Sequence, residues 1–121
     1  MKQLLFVFLG GGVGSVLRFL VSKFANKWLI LGSFPVGTLL VNLLGCFAIG
    51  YFTAYFLKNE ADIKFLLIAG FCGGFTTFST FSLENMALWN QGSYGILFSY
   101  IFLSVVLGFL AVLIGHQMVK V

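Results

Sequence analysis

Three polar side chains interrupt a sequence that is otherwise apolar over long stretches. Arg18 falls inside the first apolar run, Asn42 inside the second and Glu84 late in the third. An amide at membrane depth costs free energy unless it is partnered. Asn42 is therefore either glue between helices or an N–H donor lining a path. Arg18 either snorkels to an interface or makes an entrance positive. An acid within a span is a functional candidate by default. Around Glu84 the sequence is stranger still: Gly70-Phe71-Cys72-Gly73-Gly74-Phe75-Thr76-Thr77-Phe78-Ser79-Thr80-Phe81-Ser82. Glycines and hydroxyl residues crowd together there and make a poor helix. One reading is a kinked helix whose Ser and Thr bond back to their own carbonyls. The other is a broken helix, the first half ending in free carbonyls and the second beginning with free N–H groups. Carbonyls suit a cation and the N–H end suits an anion. Phe78 and Phe81 lie three apart and share a face. Ring edges are positive and receive an anion in an apolar tunnel, although ordinary packing is the default for any of the 16 Phe.

No catalytic constellation accompanies these residues. The single His, His116, lies at the end of the last apolar run, where an interfacial position accounts for it. No Ser has a His or Lys base at a recognisable spacing. There is no phosphate loop and no metal-ligand spacing, so nothing in the pattern supports an enzyme. Cys46 and Cys72 both fall within apolar runs and read as small hydrophobes rather than a disulfide or metal pair.

The elements that must position these residues follow from composition. Of 121 residues, 60% are hydrophobic and 8% charged. A soluble domain averages about 25% charged residues, so the solvent for most of this chain is lipid. The length allows one domain, residues 1–121. Four spans are expected, from about Leu4 to Phe24, Phe34 to Leu57, Ile63 to Trp89 and Tyr94 to Met118. Each exceeds the roughly 20 residues that a bilayer core requires. The first lacks a cleavage site and carries Arg18, so it reads as mature structure rather than a signal peptide. Pro35 suits the first turn of the second span. A short loop, Ala25 to Ser33, precedes it; the only charged loop is Lys58-Asn59-Glu60-Ala61-Asp62. The net charge of +4 is spread singly over helix ends, with no basic cluster of the kind that nucleic acid needs.

Orientation is weakly specified. Lys2, Lys58, Lys64 and Lys120 fall on one side, and Arg18, Lys23 and Lys27 on the other. A firmly oriented chain shows a clearer cationic excess. Either one lysine decides, or the chain inserts both ways and forms an antiparallel dimer. Small residues four apart, Gly10 and Gly14, Gly70 and Gly74, Ala111 and Gly115, mark where helices approach closely. Four short helices cannot enclose a polar pathway alone, so a solute route requires an oligomer.

Gly11-Gly12-Val13-Gly14 with Arg18-Phe19, then Pro35-Val36-Gly37-Thr38 with Asn42 and Gly45, then Gly73 through Ser82, resemble the Fluc fluoride channels, also called CrcB proteins. The resemblance runs nearly the whole chain. It implies an all-α membrane fold of four helices with the third broken near its middle, assembled as an antiparallel, dual-topology homodimer. It implies a passive fluoride-selective channel of the cytoplasmic membrane, with two pathways per dimer and fluoride as the ion carried. It implies a structural sodium ion held at the dimer centre by the backbone carbonyls of Gly73 and Thr76. Asn42, Phe78, Phe81, Ser79, Thr80, Tyr100 and Ser104 match the family's pathway residues; Gly108 stands where a further hydroxyl is often found. Arg18 and Glu84 are the vestibule or gating candidates. The rival reading is a proton-coupled exporter of small cations. Such exporters resemble one another in carrying a central Glu in the first span, and this one has none. A non-transporting assembly subunit explains the glycines but not the clustered hydroxyls and Asn42.

Overall fold

In the computed structural model, which describes residues 1–29 and 32–120, the described residues are mostly helical. Four segments, Lys2–Trp28, Val36–Lys58, Phe65–Asn90 and Tyr94–Val119, are long and apolar enough to cross a membrane. The chain is therefore a multi-pass membrane protein. We label α1 Lys2–Trp28 and α2 Val36–Lys58. The third span begins as a π-helical segment, Phe65–Cys72, continues into one α-turn, α3 (Gly73–Phe75), breaks, and resumes as α4 (Ser79–Asn90). The last span is α5, Tyr94–Lys120.

The end of the first span differs from the sequence expectation. Apolar content ends near Phe24, but α1 runs on to Trp28, because a helix does not need lipid to persist. Asn26 on this extension accepts a hydrogen bond from the Gly37 N–H at 2.9 Å, tying the end of α1 to the start of α2. The expected loop is thus shorter than Ala25 to Ser33, and its Ile30 and Leu31 lie outside the described residues. Pro35 stands one position before the first residue of α2. Gly32 and Gly92 take positive φ, 61° and 76°, at the two tight connections.

Packing follows the small residues. α1 lies along the π-helical segment and α3, while α2 lies along α5. A Cβ on Gly10 would fall on the Leu66 carbonyl, one on Gly14 on the Phe71 carbonyl, and one on Gly74 on the Gly11 carbonyl. Gly50 and Gly115 play the same part between α2 and α5, against the carbonyls of Val112 and Phe47. These contacts bring backbones together where lipid gives no hydrophobic drive. The core around Leu88, Leu97 and Tyr100 joins α4 to α5, with Phe34, Leu39 and Phe81 packed on it. On the loop side, Lys2 pairs with Asp62 at 3.6 Å, and Lys64 bonds Glu60. The Lys120 side chain, counted above on that side, lies outside what is described.

Candidate functional site

The break in the third span organises the site. The glycines before it remain helical; the chain leaves the helix at Thr76, whose ψ is 159°. A break exposes backbone groups that hydrocarbon cannot satisfy, each costing several kcal/mol. Some find partners within the span and others from α1 and α2. The Thr76 N–H and hydroxyl both donate to the Cys72 carbonyl, at 3.1 and 2.9 Å. Asn42 on α2 serves Thr77 twice: its Oδ1 accepts the Thr77 N–H at 2.8 Å, and its Nδ2 donates to the Thr77 carbonyl at 3.1 Å. The Thr77 hydroxyl in turn accepts the Thr80 N–H at 3.2 Å, capping α4. Arg18 Nε on α1 donates to the Gly74 carbonyl at 3.1 Å. Among the described residues, the carbonyls of Gly73, Phe75 and Thr76 receive no protein hydrogen bond. Gly73 is exposed, and a Cβ there would meet nothing within 4 Å.

Beside the break a cleft of about 630 Å³ opens between α2, the third span and α5. Its polar lining comes from Asn42, Thr76, Thr77 and Ser104, and its apolar lining includes Phe78 and Phe81. The Ser104 hydroxyl is buried and has no hydrogen-bond partner among the described residues. Phe78 is 78% exposed and lies 6.0 Å from Phe81, centroid to centroid. Phe81 continues the row to Tyr100 at 4.9 Å.

Beyond that row Glu84 accepts two hydroxyls. Tyr100 donates to its Oε1 and Thr38 to its Oε2, both at 2.9 Å. Tyr100 is fully buried and Thr38 is 3% exposed. Glu84 is thus fixed among three spans, not free at a helix end.

The structure therefore brings Asn42, Phe78, Phe81 and Ser104 together at the cleft, with Tyr100 and Glu84 one aromatic ring away. Ser79 and Thr80 are not in its lining; Ser79 is exposed and Thr80 half-buried at the start of α4. Arg18 reaches the outer side of the break from α1. Thr38 had no assigned role in the sequence. Its signal was its spacing: it precedes Asn42 by four residues and Gly45 by seven, one polar-and-small stripe along α2.

Comparison with known proteins shows the family. Residues 5–116 match the model of the family described as CrcB-like protein, Camphor Resistance (CrcB). Proteins named fluoride-specific ion channel FluC are similar throughout. The one from Phocaeicola vulgatus is 50% identical over 122 residues, covering 98% of each chain. The one from Azobacteroides pseudotrichonymphae is 46% identical over 119 residues, covering 96% of this chain and 94% of its own. The one from Flavobacterium psychrophilum is 46% identical over 123 residues, covering 99% and 98%. With nearly every residue inside the matched region, this chain belongs to the CrcB-like family.

Proposed function

We propose that the protein is a passive fluoride-selective channel rather than an enzyme or a pump. Similarity over nearly the whole chain to proteins named for that activity carries the reading. The chemistry of the cleft supports it. Fluoride is small and strongly hydrated, so a route must replace water with donors. The unpartnered Ser104 hydroxyl and the second Nδ2 hydrogen of Asn42 are such donors. The edges of Phe78 and Phe81 add positive potential without a fixed charge that would trap the ion. Fluoride enters an acidified cell as neutral HF, loses its proton inside and is held as the anion. An inside-negative membrane then expels it with about 2.3 kcal/mol per charge per 100 mV, so no fuel is needed.

Assembly as an antiparallel homodimer in the cytoplasmic membrane belongs to the same proposal. The nearly even cation balance supports it, as does a cleft that one chain leaves open beside an exposed Phe78. A sodium ion fits the break. The carbonyls of Gly73 and Thr76 lack protein donors among the described residues, and hard oxygen ligands suit a hard cation. Bound there, the ion would supply positive charge near the anion route and close the interface. The exporter reading draws no support from Glu84, which is committed to Thr38 and Tyr100.

The test is fluoride efflux from liposomes holding the pure protein, with chloride as control. Fluoride release without chloride release is expected. Equal release of both, or release of neither, overturns the proposal.

A further inference from the structure

Gly10, Gly14 and Arg18 recur every four residues, so they share one face of α1. The two glycines seat that face on the Leu66 and Phe71 carbonyls of the third span. Arg18 is the next residue on the same face, and it does not leave for the interface. Its Nε donates to the Gly74 carbonyl at 3.1 Å, across 56 positions of sequence. Gly74 itself lies against the Gly11 backbone, where a Cβ would not fit. The guanidinium therefore sits where the first half of the span ends, and a cation is favoured at a helix C-terminus.

We propose that Arg18 is a positioning residue that clamps the C-terminal end of the first half-helix. Two consequences follow. The clamp fixes where the chain leaves the helix, and so where Thr76 and Thr77 present their backbones to α2. It also divides the free carbonyls. Gly74 is spoken for, while Gly73, Phe75 and Thr76 keep carbonyls without a protein donor among the described residues, and the sodium reading draws on Gly73 and Thr76. That second consequence rests on the sodium reading above; the first does not.

A charge-only role and a positioning role separate on substitution. Lysine keeps the charge, but its Nζ is one carbon further out than Nε and lacks the planar fork. Lys23→Gln serves as the control, because it removes an exposed cation of the same helix outside this contact. The full chain in lipid nanodiscs is read in two ways. Hydrogen exchange is followed at the amides of residues 76–79. The thermal midpoint is followed from sodium-free buffer, with N-methylglucamine in its place, to saturating sodium. Both Arg18→Lys and Arg18→Gln are expected to speed exchange about tenfold, the effect of losing one charge-assisted hydrogen bond. Both are expected to shrink the sodium-dependent rise in midpoint, and Lys23→Gln to change neither. Parent-like exchange in Arg18→Lys makes Arg18 a charge and overturns the proposal, even if Arg18→Gln fails to fold. A parent with no sodium response removes the cation reading alone, and the exchange result still decides the clamp.

Discussion

Asn42 and Thr77 are joined by two hydrogen bonds, the amide accepting the Thr77 N–H at 2.8 Å and donating to the Thr77 carbonyl at 3.1 Å. A side chain of α2 thus takes the place of a missing helical turn. One Nδ2 hydrogen is used in this way and the other is left for the cleft. On the proposed function, structural and ion-facing roles would share one amide.

Substitution by Asp separates them. Asn42→Asp keeps the acceptor for the Thr77 N–H but sets an oxygen against the Thr77 carbonyl and a negative charge beside the anion route. Stability is expected to fall by about 1–3 kcal/mol, the cost of a buried carbonyl left without its donor. Fluoride efflux is expected to stop in the protein that remains folded. Parent-like efflux from a folded Asn42→Asp protein removes Asn42 from the pathway.

The two phenylalanines should part company. Phe78 is 78% exposed, so Phe78→Ile should leave stability within about 0.5 kcal/mol. Phe81 packs 4.9 Å from Tyr100, so Phe81→Ile should cost about 1 kcal/mol from the lost aromatic pair. Both should cut fluoride flux well beyond any change in yield, because an aliphatic side chain has no positive edge. Melting curves and efflux on the same preparations decide it. If both variants conduct like the parent, the rings are packing alone.

Glu84, Thr38 and Tyr100 form one unit and should behave non-additively. Tyr100→Phe leaves the carboxylate with Thr38 alone; Thr38→Val leaves it with Tyr100 alone. In a double-mutant cycle with Glu84→Gln, each hydroxyl should show a coupling of about 0.5–3 kcal/mol, the range for residues in one hydrogen-bond network. Additivity within experimental error dissolves the unit.

The proposed antiparallel dimer makes a prediction for Gln91, exposed in the turn between α4 and α5. In a chain carrying Cys46→Ala and Gln91→Cys, an impermeant thiol reagent should label part of the new cysteine in intact cells and the remainder only after the membrane is permeabilised. Cys72 is buried at 1% exposure and should stay silent. Labelling from one face alone excludes dual topology.

What sequence revealed divides along physical lines. The four spans were visible because hydropathy is a local property and lipid demands it at every position. The break was visible because glycines and hydroxyls weaken a helix wherever they cluster. Its position was visible too, since Gly70, Gly73 and Gly74 stand just before Thr76 and the chain departs there; what the residues did not show is that these glycines stay helical, Gly70 and Gly74 against α1. The π-helical start of the third span left no pattern in the residues. Thr38 and Arg18 gained their roles only through Glu84 and Gly74, which lie 46 and 56 positions away. Such pairings are tertiary and no local spacing encodes them. Ser79 and Thr80, expected in the pathway, lie outside the cleft lining. Neighbours on a helix face different ways, so standing between Phe78 and Phe81 in sequence does not by itself put these two side chains on the cleft.

Gly108 offers the sharpest test of the hydroxyl track. It follows Ser104 by four residues on α5, so a hydroxyl there would stand one turn further along the same face. Its neighbours leave room. A Cβ at Gly108 would meet only the Cys46 sulfur, at 3.6 Å, which is ordinary contact. The other buried glycines of this seam differ: a Cβ on Gly115 would strike the Phe47 carbonyl. Gly108→Ser should therefore fold, and it should gain about 0.5 kcal/mol from better helix propensity. Gly115→Ala should instead cost about 1–3 kcal/mol from overpacking. With its hydroxyl added to that of Ser104, Gly108→Ser should conduct fluoride at least as fast as the parent. Gly108→Val, branched and without a donor, should conduct more slowly at unchanged fold. Melting temperatures of the three variants, with efflux from matched liposomes, check each sign. A slower Gly108→Ser and an unaffected Gly108→Val would place the ion route away from this face of α5.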